Sequence, residues 1–353
     1  MKLGIVGTEL APLDAKIGAL EKLCIGWADQ LRRKGHEVLL FSIPLDGRSS
    51  EESRNIFTFE NQADLDFKLQ NASLDGVIVN NRPMWNAGNI KNRINLFHNY
   101  PDAWMAESCE KLTNYVAAAR NLAVSAALAE TVNGSFPGAG TRVLYPFVDP
   151  DIIGSCDIAR FRKSPSGSQK LRILFPNRTM EKKGLRWLIS AIDQHLADKV
   201  CLTVIRNISP WADETEEHRG LLNLARMRSY ASIQEKILNP SDLVELYQAH
   251  DVVVAPSIQP EGLGLIPLEA QAAGIPVVAS DLGGLKESVF PPNITVQTGS
   301  DDQLAHALVA ASRISPTDRE RVAKMVRRKF SQSESANLLE AELANLLDSH
   351  RLR

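Results

Sequence analysis

Short apolar runs alternate with helical stretches along the chain. Lys2–Val6 is an apolar run typical of a buried strand, and from about Gly18 to Lys34 apolar residues recur on one face of a predicted helix. Gly35 ends that helix, and Val38–Ile43 forms a second apolar run. A strand, a helix and a strand in this order predict a βαβ unit with parallel strands. The pattern therefore predicts an α/β fold from the N-terminus onward.

The same alternation continues and restarts after a polar interruption. Further strands of the first half are predicted at Gly76–Val79, Ile94–His98, Leu122–Val124 and Thr141–Leu144. From about Ile158 to Lys170 the chain is rich in Arg, Lys, Ser, Pro and Gly, which is typical of a linker. Strands of the second half are predicted at Leu171–Phe175, Val200–Ile205, Val252–Ala255 and Pro276–Ala279. We expect two Rossmann-like, doubly wound domains, 1–157 and 171–330, that face each other across a cleft.

Composition narrows the class of protein. A length of 353 residues suffices for two domains with large cores, and 44% hydrophobic residues are typical of a globular chain. The formal net charge of −2 argues against a nucleic-acid-binding surface spread over the whole protein. The four cysteines form no C-x-x-C pair, and no apolar run reaches about 18 residues, which argues against a zinc knuckle and a membrane span. With no signal-peptide pattern, we expect a cytoplasmic protein and leave a peripheral membrane association open.

A glycine-rich turn after the predicted strand Val252–Ala255 carries the most specific pattern. Gly262 and Gly264 lie in this turn, and a helix is expected to begin at Pro267 and to end at Gly274. Glycines in such a turn let backbone N–H groups approach an anion, and the helix N-terminus adds a partial positive charge. The turn is therefore suited to bind phosphate.

Two carboxylates flank this turn. Glu261 precedes it, and Glu269 is expected on the first turn of the following helix. Each carboxylate can accept hydrogen bonds from vicinal hydroxyls, and both are placed to reach one pocket. Phosphate at the helix start and hydroxyls at the carboxylates together describe a nucleotide sugar. The alternatives are a helix-capping role for Glu269 and a solvated loop position for Glu261.

This segment resembles the E-x7-E signature of the family-4 glycosyltransferases, which are retaining enzymes of the GT-B fold. Asn177–Gly184 is similar to the family's Gly-Arg-x4-Lys-Gly loop, with Asn177 in place of its first glycine. Ile94–His98 resembles the family's strand that ends in a histidine. The tail from Phe330 resembles the start of the family's final helix. The resemblance implies a GT-B architecture in which residues 331–353 form a helix that crosses back and packs on the N-terminal domain.

The resemblance also implies roles for individual residues. Arg178 and Lys183 would bind the donor diphosphate, since a guanidinium and an ammonium suit the charge that develops on the leaving phosphate. Glu269 would bind the ribose hydroxyls, Glu261 the hydroxyls of the donor sugar, and His98 would approach that sugar from the first domain. The catalytic candidates are thus His98, Arg178, Lys183 and Glu261. Further donor contacts are implied for Gly18, Asn239, Gly262, Leu263, Gly264 and Leu265.

The acceptor side departs from the family pattern. Ala19 stands where the family has its second loop glycine, and residues 146–149 replace an Asn-Gly-Val-Asp turn. Aromatic faces and fork-shaped donors suit sugars or anionic groups, although the two tryptophans among the candidates fit a core equally well. The candidate acceptor contacts are Asn81, Arg82, Trp85 and Trp104.

The resemblance, taken together with these patterns, implies a retaining, metal-independent hexosyltransferase. It would move a sugar from a nucleotide-diphosphate sugar, with a UDP-sugar favoured, to a hydroxyl of a glycan or small-molecule acceptor; a lipid-linked acceptor is left open. We expect no cofactor, because the nucleotide sugar is a substrate, and no metal, because Asp301-Asp302 fits a helix cap better than a D-x-D site. A GT-B-fold epimerase, a sugar phosphorylase and a non-catalytic two-domain sugar-binding protein remain alternatives.

Overall fold

The computed structural model describes residues 1–7, 18–43, 55–80, 90, 92–101, 113, 116–117, 119–155, 170–207, 214–235 and 240–351. The chain forms two compact units, Met1–Phe147 with Gln332–Arg353, and Val148–Ser331. The second unit begins before residue 157, where the first domain was expected to end. At this boundary the Val148 N–H donates to the carbonyl oxygen of Phe330 at 2.9 Å, and both residues belong to the second unit.

The first unit is built on a parallel sheet. Its described strands are β1 (Lys2–Val6), β2 (Glu37–Ser42), β3 (Ile56–Thr58), β4 (Gly76–Asn80), β5 (Arg93–Phe97), β6 (Arg120–Ala123) and β7 (Arg142–Val143). They lie side by side in the order β3-β2-β1-β4-β5-β6-β7, and each neighbouring pair is parallel. Its first three described helices are α1 (Ala19–Arg33), α2 (Gln62–Asn71) and α3 (Ala126–Ser135).

Helix α1 forms as its apolar spacing predicts. Leu23, Trp27 and Leu31 recur at helical spacing and are buried. Gly35, at φ +86°, occupies the left-handed region just after the helix, where a residue without a side chain is favoured. The chain then enters β2, so that β1, α1 and β2 form the expected βαβ unit.

The second unit repeats this architecture. Its described strands are β8 (Leu171–Phe175), β9 (Val200–Arg206), β10 (Ala231–Glu235), β11 (Val252–Ala255), β12 (Val277–Ser280) and β13 (Ile294–Val296). The sheet is parallel, in the order β10-β9-β8-β11-β12-β13. Its described helices are α4 (Pro150–Ser155), α5 (Leu185–His195), α6 (Glu216–Arg226), α7 (Pro240–Gln248), α8 (Leu265–Ala272), α9 (Leu285–Ser288), α10 (Asp301–Ala311) and α11 (Pro316–Lys329).

Each sheet reverses its strand order at one place. In the second unit the reversal lies between β8 and β11, because β9 and β10 continue on one side and β12 and β13 on the other. Connections leave in opposite directions at such a point, which makes the carboxyl ends of these two strands the usual ligand position. In the first unit the reversal lies between β1 and β4. The segments that follow those strands, 8–17 and 81–89, lie outside the described residues.

The last helix, α12 (Gln332–Arg351), belongs to the first unit and packs on α1. The Trp27 indole N–H donates to Ser335 Oγ at 2.9 Å, and Lys34 Nζ contacts Glu340 at 2.6 Å. Two parallel-sheet Rossmann-like units and this returning helix confirm the predicted fold class.

Among the described helices, none is long and apolar enough to cross a membrane.

Candidate functional site

Two loops of the second unit run side by side where the strand order reverses. The β8 loop, residues 176–184, follows β8, and the β11 loop, residues 256–264, follows β11. Asn177 Nδ2 donates to the carbonyl oxygen of Val254 at 3.1 Å, and the Ile258 N–H donates to the Lys182 carbonyl at 2.9 Å. These bonds hold the loops together. Asn177 therefore uses its side chain as a tether at the position where the resembling family has a glycine.

Gly184 permits this close approach. It ends the β8 loop at φ +77°, and a Cβ atom there would lie 1.8 Å from the carbonyl oxygen of Pro256. Backbone cannot yield as a flexible side chain does, so a larger residue would push the two loops apart.

Two of the predicted catalytic residues meet across these loops. Lys183 Nζ lies 2.8 Å from Glu261 Oε1, and the side chains are only 19% and 18% exposed. The buried Ser257 hydroxyl donates to the same carboxylate oxygen. Partial burial strengthens this ion pair relative to one on the open surface, because less solvent screens it. Glu261 is thus held in place, which does not fit the alternative of a freely solvated loop residue.

Arg178 lies in the same β8 loop with an exposed side chain. Its guanidinium makes no hydrogen bond or ion pair with any of the residues that the structure describes. A guanidinium that has no partner among the described residues and lies in the same loop as Lys183 is available to an anionic ligand.

Helix α8 begins earlier than expected, at Leu265, so the prediction that Pro267 is its first residue is wrong. Gly264 precedes it at φ +88°, and this left-handed conformation turns the chain into the helix before Pro267. Pro267 still fits the first turn, where backbone N–H groups have no helical acceptor. No side chain caps the helix start, which leaves these N–H groups to solvent or to an anion.

Glu269 consequently lies on the second turn of α8, beyond the capping positions, and its interpretation as a helix cap is wrong. The buried Tyr247 hydroxyl, on α7, donates to Glu269 Oε2 at 3.0 Å. Burial and the neighbouring carboxylate raise the pKa of Tyr247 well above its ordinary value, so the phenol keeps its proton and remains a donor.

The segment after β12 packs against the glycine turn of the β11 loop. The Gly284 N–H donates to the Glu261 carbonyl at 2.8 Å. A Cβ atom on Gly284 would lie 2.0 Å from the carbonyl oxygen of Gly262, so only glycine fits. Leu263 is buried between these contacts. The backbone that the resemblance assigns to donor binding is therefore packed against the segment after β12.

His98 lies in the first unit, directly after β5, and is buried. Its Nε2 atom is 3.2 Å from Asn80 Oδ1, while Asn80 Nδ2 donates to the Val6 carbonyl at 3.1 Å. A carbonyl only accepts, so Asn80 presents its oxygen to the histidine and Nε2 carries the proton. Burial lowers the pKa of His98 to about 3, and the ring is neutral at physiological pH. It is available as a neutral group rather than as a cation.

We expect the low pKa of His98 to make the free energy of unfolding fall as the pH is lowered. The pKa of about 3 in the folded state lies below the ordinary 6.5, so the unfolded state binds more protons between these values and stability falls as the pH drops through this window. One proton changes the free energy of unfolding by about 1.4 kcal/mol per pH unit. Urea unfolding from pH 7.5 to 4.5 should give a steeper loss for the natural protein than for His98→Gln. Parallel curves would contradict the neutral, buried state.

Gly18 is the residue before α1 and has an extended backbone. A Cβ atom there would lie 1.9 Å from Glu21 Oε2, whose carboxylate folds back over the helix start. A carboxylate is a favourable neighbour of a helix N-terminus, and it would oppose a second anion at the same place. The assignment of Gly18 to the diphosphate stays a prediction.

Five candidate residues lie outside the described part of the chain: Asn239, Asn81, Arg82, Trp85 and Trp104. The predicted contact to the base and the acceptor contacts therefore stay predictions.

Sequence reasoning did not identify Ser257 and Tyr247 as site residues. Ser257 follows a buried strand and lies four positions before Glu261, a loop spacing with no periodic signal. Tyr247 lies 22 positions before Glu269 on a different helix, so only the fold brings them together.

Comparison with known proteins finds a family match within the second unit and a relative that is similar over most of the chain. Residues 170–313 match the family described as glycosyl transferases group 1. Spore coat protein SA of Bacillus subtilis (strain 168) is 25% identical over 314 residues, which cover 82% of this chain and 83% of that protein.

Solved structures share the architecture of the chain. Sucrose-phosphate synthase from Thermosynechococcus elongatus has a TM-score of 0.79 and 17% identity, with 99% of this chain and 100% of that chain covered. Anabaena HepE in complex with UDP-glucose has a TM-score of 0.73 and 17% identity, with 99% and 100% covered. Such low identity shows the fold alone. The chain therefore has the fold of the GT-B glycosyltransferases, and its residues 170–313 match the glycosyl transferases group 1 family.

Proposed function

We propose that this protein is a retaining, metal-independent glycosyltransferase that uses a nucleotide-diphosphate sugar, preferably a UDP-sugar. The acceptor is a hydroxyl of a glycan or a small molecule. The observation that carries the proposal is the ion pair of Lys183 with Glu261, where the strand order of a group 1 glycosyl transferase domain reverses. A cation for the diphosphate and a carboxylate for sugar hydroxyls stand there side by side.

Transfer of the sugar first requires positive groups that stabilise the leaving diphosphate. Negative charge builds on its bridging oxygen as the glycosidic bond breaks, and fixed positive groups lower the barrier when they lie where that charge develops. Arg178 supplies a planar, bidentate donor, and Lys183 a point charge. The uncapped start of α8 adds backbone N–H groups with a partial positive charge.

Transfer also requires hydrogen-bond acceptors that hold the sugar and the nucleoside of the donor. Glu261 would accept hydrogen bonds from hydroxyls of the donor sugar, and Glu269 from the ribose hydroxyls. The acceptor hydroxyl would attack on the face that the phosphate leaves, with a phosphate oxygen taking its proton. The new bond then forms on the same face, and the product keeps the anomeric configuration of the donor.

A uridine donor is supported by analogy of fold. HepE, which shares the architecture at a TM-score of 0.73, was solved with UDP-glucose bound. A thermal-shift screen against UDP, GDP, ADP and dTDP tests the base, since a ligand that binds only the folded state raises the unfolding temperature. We expect the largest rise with UDP.

Stereochemistry and metal dependence test the mechanism. Proton NMR of the first-formed product should show the anomeric configuration of the donor. A chelator should leave the rate essentially unchanged, because Arg178 and Lys183 supply the positive charge. An inverted product, or activity lost with chelator and restored by magnesium or manganese, would contradict the proposal. Turnover of the donor without any acceptor would instead indicate an epimerase.

A further inference from the structure

Each of the two signature carboxylates is held by a buried hydroxyl. Ser257 donates to Glu261 Oε1, and Tyr247 donates to Glu269 Oε2 at 3.0 Å. Both donors are at most 1% exposed, whereas both carboxylates are only partly buried. A buried donor on a fixed element restricts the rotamers of a carboxylate that reaches toward solvent, so it lowers the entropy lost when a ligand binds.

Ser257 has a particular position in this arrangement. It follows β11 closely, and it shares Glu261 Oε1 with Lys183. Glu261 Oε2 accepts no hydrogen bond from any described residue, which leaves this oxygen for a sugar hydroxyl. A diphosphate would compete for the Lys183 ammonium. The Ser257 hydroxyl is then the bond that keeps Oε1 in place while the donor is bound.

Tyr247 holds the second carboxylate from a different element. Its side chain is buried, and its hydroxyl is the polar atom that reaches Glu269 on α8. The raised pKa keeps the phenol protonated over the whole range in which enzymes are assayed. A phenol has two χ angles and a rigid ring, so it fixes the position of its partner well.

We propose that Ser257 and Tyr247 are positioning residues of the donor site. Ser257 orients Glu261 toward the sugar, and Tyr247 orients Glu269 toward the nucleoside. This inference rests on the proposed function, because the proposed function assigns the donor sugar to Glu261 and the ribose to Glu269.

Calorimetry on the full chain with UDP and with UDP-glucose separates the two roles. Ser257→Ala should weaken UDP-glucose binding roughly tenfold and leave UDP binding unchanged, because UDP lacks the sugar. Tyr247→Phe should weaken both ligands by the same factor, roughly tenfold, because both contain the ribose. Ser257→Cys, with a similar volume and a weaker donor, should fall between Ser257→Ala and the natural protein.

Two substitutions control for the loss of a hydroxyl that donates to a carboxylate. Ser190 donates to Asp301 at 2.6 Å, and Tyr230 donates to Asp193 at 2.6 Å, both in the second unit but outside the β8 and β11 loops. Ser190→Ala and Tyr230→Phe remove the same kind of bond, so they should affect the unfolding temperature without changing either affinity. The four variants thus separate positioning from stability.

Double substitutions separate the positioning roles of Ser257 and Tyr247 from the donor-binding roles of the two glutamates. Ser257→Ala should cause no further loss of affinity in a protein that already carries Glu261→Ala. Tyr247→Phe should likewise cause none in a protein that carries Glu269→Ala, because no carboxylate remains to be oriented. Unchanged affinities in Ser257→Ala and Tyr247→Phe, with clear losses in the glutamate variants, would overturn the positioning roles alone. Glutamate variants that bind both ligands normally would overturn the proposed donor site, and the inference with it.

Discussion

Arg178→Ala and Lys183→Ala are each expected to lower kcat by about 10²–10³, the range that follows the loss of one donor to a developing oxyanion. Both cations would stabilise the transition state more than the bound donor, because negative charge increases on the diphosphate as the sugar leaves. Substrate affinity should therefore change less than kcat. Steady-state kinetics with saturating acceptor, together with circular dichroism, measures the effect on a folded protein.

Lys182→Ala is the matched control for these variants. Lys182 lies in the same β8 loop with an exposed side chain, and its contact with the β11 loop uses the backbone carbonyl, which alanine retains. Its rate should stay near that of the natural protein. Near-normal rates in both Arg178→Ala and Lys183→Ala would mean that the diphosphate binds elsewhere.

The two cations should nevertheless differ in their coupling to Glu261. Arg178 has no partner among the described residues, so its removal subtracts only its own charge. Lys183→Ala also leaves Glu261 Oε1 with Ser257 as its remaining partner. Loss of the charge and loss of carboxylate positioning then occur together, and the effects of Lys183→Ala and Glu261→Ala should be less than additive. Arg178→Ala and Glu261→Ala should combine more nearly additively.

Local signals made much of the fold predictable. Strong amphipathic spacing and a following glycine predict both ends of helix α1 closely. Continuous apolar runs predict the buried strands β1, β8 and β11. Strand β10 was missed because it is an edge strand with mostly exposed residues, which lacks the apolar run of a buried strand. Strand β3 is only three residues long, too short for any period to be visible.

The site was predictable in residue type and less so in geometry. Lys183 and Glu261 were assigned to one site, and the structure brings them together. Their direct contact depends on the close approach of two loops, which Gly184 and the Asn177 tether permit and which no spacing encodes. The start of α8 was misplaced because proline favours the first helical position, whereas the left-handed Gly264 begins the helix earlier. This shift moves Glu269 to the second turn, where Tyr247 holds it.

Removal of Glu261 and removal of Glu269 should affect binding of different parts of the donor, the sugar and the nucleoside. Glu261→Ala is expected to lower kcat/KM by about 10²–10³, because its hydrogen bonds would hold the sugar in line with the leaving phosphate and misplacement of a reacting group is costly. Inhibition by free UDP should not weaken, since UDP has no sugar for Glu261 to bind.

Glu269→Ala is expected to act on the nucleoside instead. Loss of two hydrogen bonds to a charged acceptor should weaken UDP inhibition and raise the KM of the donor by similar factors, roughly 10- to 100-fold, with a smaller effect on kcat. Ribose is equally present in the free nucleotide, the donor and the transition state, so its binding is uniform and contributes little to the chemical step. Inhibition constants for UDP and donor kinetics, measured on both variants, decide the matter. Equal losses of UDP inhibition in Glu261→Ala and Glu269→Ala would place both carboxylates on the same part of the donor.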